Sequence, residues 1–284
     1  MEPSNPSAYR PESVIQHFDD YGAREWTRLI HTPADEVSLA IHTHYLEKYV
    51  AAGDRVLEIG AGAGRFTQIL GRIGARVWVA DISPGQLELN RRFASEYGFE
   101  AAVADRRQVD ICDLSGYEDD AFDAVVAYGG PLSYVLDRRD AALAECLRVL
   151  RPGGALLLSV MSLWGSAHRR LDGVLDMAVA DNQKVTSTGD ISPATFPDRK
   201  SGFMHLFRAD ELLAWLKAAS LTLLDASASG CLATRWDAEL GPIRANPEKW
   251  SELLRMEIEA SADPACLGMG THMIAAARKS NADP

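Results

Sequence analysis

Several protein classes are excluded by what this chain lacks. It has four cysteines in 284 residues, Cys112, Cys146, Cys231 and Cys266, and no two of them form a C-x-x-C pair. That spacing removes a zinc finger or ribbon and a disulfide framework, so the four read as free thiols in a reducing compartment. There is no run of about eighteen apolar residues, so no membrane span is expected. The opening MEPSNPSAYRPES has no basic stretch followed by an apolar one, and the expected location is the cytoplasm. Basic residues are in deficit: 29 Lys and Arg against 40 Asp and Glu, a net charge of −11. A surface of that sign does not suit non-specific nucleic-acid binding, so no nucleic acid is expected as partner. No internal repeat or low-complexity segment is visible, and no compact group of acids and histidines points to a metal.

What remains is an ordinary globular composition, 47% hydrophobic and 24% charged, in a length that suits one large domain or a core with a small cap. The chain is organised around residues 55–67, RVLEIGAGAGRFT. Val56, Leu57 and Ile59 form a short apolar strand with Glu58 set inside it. Gly60, Gly62 and Gly64 then break the strand, with Ala61 and Ala63 between them, and Phe66, Ile69, Leu70 and Ile73 resume at helical spacing. A strand that turns through glycines into a helix is a ligand cradle. Glycine lets a ligand approach the backbone, and the free amides at a helix start favour an anionic or polar group. The spacing is G-x-G-x-G, not the dinucleotide fingerprint G-x-G-x-x-G, whose third glycine position is held here by Arg65.

Downstream, residues 76–80 read as a second strand ending in Asp81, seventeen residues after Gly64. A carboxylate there is placed to accept both hydroxyls of a ribose, with Ile82 beside it. Ser83-Pro84 caps the next helix, to about residue 97. The third strand is ambiguous. It is either 101–104, ending at Asp105, or 107–109, ending at Asp110; the second is preferred. A fourth strand spans 122–127 and leads into Tyr128-Gly129-Gly130-Pro131. A helix over 139–150 meets Pro152-Gly153-Gly154, which turns the chain into a fifth strand at 155–160. Alternating strands and helices of this kind predict a mostly parallel, doubly wound α/β sheet, with ligands at the carboxyl ends of its strands.

The motif E-x-G-x-G-x-G, followed by D-x-x-D-L, an acidic turn, F-D-A-V-V and R-V-L-R-P-G-G, resembles the class I S-adenosylmethionine-dependent methyltransferases over residues 53–161. The resemblance implies the Rossmann-like methyltransferase fold with a seven-stranded sheet, its last strand antiparallel between the fifth and sixth. It implies S-adenosylmethionine as cofactor. Glu58, Gly60, Ala61, Gly62 and Gly64 would hold its methionine end, Asp110 and Ile111 its adenine, and Tyr128 would stand beside the departing methyl group.

The flanks are less regular. Residues 1–12 are expected to be loose. Two helices, 13–29 and 38–50, complete an N-terminal cap over 1–52, placed over the strand ends, where Tyr21 and Trp26 serve either as core packing or as an aromatic cover for the substrate. Residues 162–205 read as an inserted lid without regular structure. Residues 206–284 return to the core with a helix at 208–219, a sixth strand at 221–226, a helical excursion through 250–258 and a seventh strand at 271–277. Methyl transfer from a sulfonium requires a base only when the acceptor arrives protonated. His205, just before the helix at 208, is the first candidate, with His168 and His17 next; a lone histidine is more often structural. Tyr21 and Tyr128 are alternative orienting groups. The expected function is methyl transfer to a small-molecule acceptor. The alternatives are an NAD(P)-dependent oxidoreductase on a related fold and a catalytically inactive cofactor-binding protein; the oligomeric state is open.

Overall fold

The computed structural model describes residues 8–219 and 221–280. The expected loose segment therefore falls largely outside the described residues, and the first helix, α1 (Pro11–Tyr21), begins inside it, with Pro11 at the first helical position. Gly22, at φ +57°, ends α1, so the expected 13–29 helix is broken. The chain continues as a short α2 (Arg24–Thr27) and a 3-10 turn, Arg28–Ile30. Helix α3 (Pro33–Tyr49) starts five residues earlier than expected because Thr32 and Asp35 form a reciprocal capping box.

The core then alternates. Strand β1 (Arg55–Ile59), α4 (Arg65–Ile73), β2 (Arg76–Asp81), α5 (Pro84–Glu96) and β3 (Val103–Gln108) are followed by β4 (Phe122–Ala127). Next come α6 (Pro131–Tyr134), α7 (Arg139–Val149) and β5 (Leu150–Met161). The fifth strand thus begins before the Pro-Gly-Gly turn: Leu150 pairs with Phe122, and the register then shifts so that Ala155 pairs with Ala124. Strand β3 spans both sequence alternatives. Asp105 lies within it and pairs with Arg107, whereas Asp110 lies two residues past its end, on the loop at the carboxyl edge.

The inserted segment is not irregular. It holds α8 (Leu163–Arg169), α9 (Leu171–Leu175), α10 (Val179–Thr188) and a small antiparallel pair, β6 (Asp190–Ile191) with β7 (Met204–His205). Leu163, Val185 and Leu206 form its own apolar cluster, which explains why it can hold regular structure. The chain ends with α11 (Ala209–Ala218), β8 (Leu221–Ala228), α12 (Asp237–Arg244), α13 (Pro247–Ser261) and β9 (His272–Lys279).

The seven-stranded sheet has the order β3-β2-β1-β4-β5-β9-β8, with β9 antiparallel to both neighbours. Both faces are covered, so central strands are apolar on both sides. Leu57, Val125, Leu156 and Leu158 pack against α7 and α11. Val56, Val77, Val126 and Leu157 pack against α3 and α4, with α12 and α13 joining at the edge. Helix α3 therefore belongs to the core layer and does not cap the strand ends, because Val37, Ile41, Tyr45 and Leu46 give it a continuous apolar face. The part of the N-terminal segment that reaches the strand ends is α1 with α2. Among the described residues, no helix is long and apolar enough to cross a membrane.

Candidate functional site

The glycine loop between β1 and α4 is tied to β2: the Gly60 amide donates to the Ala80 carbonyl at 2.8 Å, and the Gly62 amide donates to Asp81 Oδ2 at 2.7 Å. Asp81 Oδ1 accepts the Ser83 amide at 2.8 Å. Gly64 lies at φ +100°, and a Cβ there would stand 2.8 Å from Asn90 Nδ2, so both its backbone and its packing require glycine.

Glu58 lies under this loop, 2% exposed. Thr67 Oγ1 donates to its Oε2 at 2.6 Å, Asn90 Nδ2 donates to Thr67 Oγ1 at 3.1 Å, and Arg106 Nε donates to Asn90 Oδ1 at 2.9 Å. This chain orients one carboxylate oxygen. The other, Oε1, is buried and has no partner among the described residues. Burial pushes Glu58 up to about 8 against the opposing Thr67 bond. Burial likewise raises Asp81 to about 6, with Glu25 and Asp19 adding repulsion and the two backbone amides opposing. The loop is therefore ringed by acidic side chains. A buried carboxyl oxygen left without a partner beneath a glycine-rich turn fits a ligand that carries positive charge and hydrogen-bond donors.

The remaining sequence candidates are scattered around this centre. Asp110 Oδ1 accepts the Cys112 amide at 2.8 Å, and its Oδ2 accepts the Tyr9 hydroxyl at 3.0 Å. Ile111 is buried in the core beneath it, and Ile82 accepts Gln108 Nε2 at 3.1 Å through its carbonyl. Tyr128 closes β4, but its ring is enclosed between Phe66 and His42, with centroids 5.2 and 4.8 Å away. Its side chain does not present a substrate surface, although its buried hydroxyl has no partner. Tyr21 is half-buried, stacked near His17 and under Arg24. Trp26 is not a substrate cover. It is 6% exposed, packed on Phe93 and Tyr97, with the Arg65 guanidinium 3.9 Å above its ring. Its bulk anchors α2 to the glycine loop.

His205 is also corrected. Its Nδ1 and Nε2 each lie 2.7 Å from a carboxylate oxygen, of Asp190 and Glu211. Burial disfavours its charge, but these two hydrogen bonds outweigh it and raise its pKa. A ring with both nitrogens engaged and its proton held tightly is a strut between β6, β7 and α11, not a base. Among the described residues there is no group of three or more His, Cys, Asp or Glu placed to hold a metal.

The sequence reading missed Glu25 and Arg28. Arg28 forms a two-pronged pair with Glu25, Nε to Oε2 at 2.9 Å and Nη2 to Oε1 at 2.8 Å. The pair lies between the Gly62 and Gly129 turns. Nothing local marks it in the sequence beyond an ordinary i, i+3 charge pair. His42 and His272 were missed as well. Burial, with the Arg28 charge nearby, lowers His42 to about 4 and His272 well below its ordinary value.

Residues 57–158 match the profile of a methyltransferase domain family. The chain is 30% identical over 186 residues to a ubiquinone biosynthesis O-methyltransferase of Xanthomonas oryzae pv. oryzae (strain PXO99A), covering 65% of this chain and 69% of that one. It is 29% identical over 193 residues to the enzyme of the same name from Xanthomonas campestris pv. campestris (strain B100), covering 66% and 72%. Among solved structures, the cyclase SpnF superposes with a TM-score of 0.60 at 21% identity, over 98% of both chains. A didemethyltoxoflavin methyltransferase of Burkholderia thailandensis, with its substrate and S-adenosylhomocysteine bound, superposes with a TM-score of 0.53 at 17% identity, over 94% and 87%. These two share the fold. With the sequence relatives and the seven-stranded sheet, they place the chain: it belongs to the class I S-adenosylmethionine-dependent methyltransferases and is a methyltransferase enzyme that uses S-adenosylmethionine.

Proposed function

We propose that the acceptor is a small molecule and that the cofactor lies along the carboxyl ends of β1, β2 and β4. The relatives named as ubiquinone biosynthesis O-methyltransferases support a small acceptor. In this reading Glu58 and the backbone of Gly60, Ala61, Gly62 and Gly64 hold the methionine end. Asp81, with Ile82, takes the ribose hydroxyls on lone pairs that its two backbone amides leave free. Asp110 and the Ile111 amide take the adenine, and the backbone at Tyr128 lies beside the methyl group.

The observation that carries this reading is the sign of the charge around the glycine loop. Asp81, with Asp19 and Glu25 adding negative potential at it, suits a cofactor that bears a sulfonium and an ammonium, and Glu58, which holds a proton while the site is free, can ionise as that positive charge arrives. The carboxylates of Asp81, Asp19 and Glu25 would repel the pyrophosphate of a dinucleotide, which argues against the oxidoreductase alternative.

The cofactor, when bound, supplies a methyl group on a good leaving group. The protein's work is to hold acceptor, methyl and sulfur in line and to exclude water, and positioning alone can contribute ~7–11 kcal/mol. The lid segment supports such exclusion. Gly202, just before β7, lies so close to α1 that a Cβ would stand 3.4 Å from His17 Cε1.

Calorimetric titration with S-adenosylhomocysteine, with NAD and NADP as controls, tests the site. Micromolar binding of the homocysteine compound alone is expected. Binding of a dinucleotide in its place would overturn the assignment.

A further inference from the structure

Glu25 and Arg28 are the two charged side chains that the N-terminal segment lays on the glycine turns. A Cβ on Gly62, at φ +54°, would stand 3.0 Å from Glu25 Cγ and 3.7 Å from Oε1. A Cβ on Gly129, at φ +83°, would stand 3.5 Å from Arg28 Nη2. The pair thus bridges the loop after β1, assigned above to the methionine end of the cofactor, and the loop after β4, assigned to the neighbourhood of its methyl group. Both side chains are largely withdrawn from solvent, Arg28 at 27% and Glu25 at 16% exposure.

The surroundings of each partner are lopsided. Among the described residues, Glu25 is the only carboxylate paired with Arg28. Tyr21 and Tyr134 also lie close enough to act on the guanidinium, as do the neutral His42 and His272. If Glu25 withdrew, Arg28 would keep a charge with no anion to meet it. Glu25, in turn, lies near Asp81, which Asp19 also faces. If Arg28 withdrew, Glu25 would stand in an excess of negative charge. Breaking such a pair is unfavourable unless each ion finds a new partner of the right sign. An α-amino acid zwitterion provides both at once. Its carboxylate matches the two-pronged guanidinium, and its ammonium matches the carboxylate.

We propose that the Glu25–Arg28 ion pair reads the amino-acid end of the cofactor by exchanging partners with it, Arg28 taking the carboxylate and Glu25 the ammonium. This inference rests on the cofactor placement above. No covalent bond changes, and the exchange is neutral in charge: one internal pair is replaced by two pairs with the ligand. Trp26, next to Glu25 in the chain, packs on Phe93 and Phe99 and is held by Arg65, which anchors the segment that carries both side chains. The consequence is selectivity. The site distinguishes an adenosyl compound that carries the amino-acid end from one that lacks it.

The test compares S-adenosylhomocysteine with 5′-methylthioadenosine, which lacks that end, by calorimetry on the full chain. The proteins are the natural sequence, Glu25→Gln, Arg28→Gln and the double variant. The natural protein is expected to prefer the homocysteine compound by a hundredfold or more. Each single variant should lose at least tenfold for that compound, with methylthioadenosine binding held or tightened, and the double variant should lose less than the product of the two. Equal losses for both compounds would overturn the proposal and reduce the pair to a support for the loop. Unchanged or tighter homocysteine binding in Glu25→Gln, a near-isosteric change, would overturn it as well. A natural protein that binds neither compound would instead remove the cofactor placement, and the inference with it.

Discussion

Asp81 Oδ2 accepts the amide of Gly62, nineteen residues earlier, at 2.7 Å. Through this bond the end of β2 sets the shape of the glycine loop, and the same carboxylate also holds the Ser83 amide at the start of α5. Asp81→Ala should therefore weaken S-adenosylhomocysteine binding by ~1–3 kcal/mol and also lower the melting temperature, because two backbone amides lose their acceptor. Asp110→Ala should cost a similar ~1–3 kcal/mol in binding. Calorimetry on both variants decides the matter: unchanged affinity in the two would show the cofactor lies elsewhere.

Glu58 makes stability depend on pH. Its folded pKa is about 8 against an ordinary 4.5, so between those values the folded protein holds a proton that the unfolded chain has lost. Stability is then expected to fall as pH rises from about 4.5 to about 8 and to level off above. Asp81 adds a decline of the same sign between 3.8 and about 6. Melting temperatures across this range should flatten in Glu58→Gln. A natural protein whose stability climbs from pH 5 to 8, with no change in the variant, would contradict the placement of that proton. Positive charge on the cofactor favours the ionised form, so binding near neutral pH should release protons, measurable by calorimetry in buffers of different ionisation enthalpy.

His205 is expected to matter for stability and not for chemistry. His205→Ala removes two hydrogen bonds to carboxylates that keep some solvent contact, a loss of ~1–3 kcal/mol in denaturant unfolding. Because its folded pKa is raised above 6.5, its contribution is complete below pH 6.5 and fades as pH rises through the folded value. S-adenosylhomocysteine affinity should not change. A variant of normal stability that binds cofactor and has lost turnover would restore a catalytic role.

Trp26 should behave as an anchor. Trp26→Ala empties a site bounded by Ala63, Phe93 and Phe99 and should cost ~3–5 kcal/mol, with weaker cofactor binding as α2 loosens from the glycine loop. Trp26→Phe should retain most of both properties. Urea melts and calorimetry on the two variants separate this from a substrate-facing role, in which cofactor affinity would stand unchanged.

Much of the core is legible along the chain because its signals are local. The apolar run at 122–127 matches β4 residue for residue, and Ser83-Pro84 starts α5 where a cap and a proline dictate. Boundaries moved where pairing overrode local chemistry. Strand β5 starts at Leu150, ahead of Pro152, because Leu150 finds Phe122 in the neighbouring strand. The expected irregular lid is helical because its apolar residues close on one another.

By itself the sequence determined the strand–glycine–helix cradle, the acidic residues near the strand ends and the class of cofactor they suit, since each depends on residues close together in the chain. Only the tertiary structure decided that Trp26 is buried, that α3 joins the sheet face, that His205 is clasped by Asp190 and Glu211, and that Glu25 and Arg28 rest on Gly62 and Gly129. The physical reason is that burial and charge pairing are properties of the packed neighbourhood. The sequence spacing of Glu25 and Arg28 describes a common surface pair on a helix; their meeting with turns 37 and 101 residues further on is set by how Trp26 and Arg65 dock α2 onto the sheet.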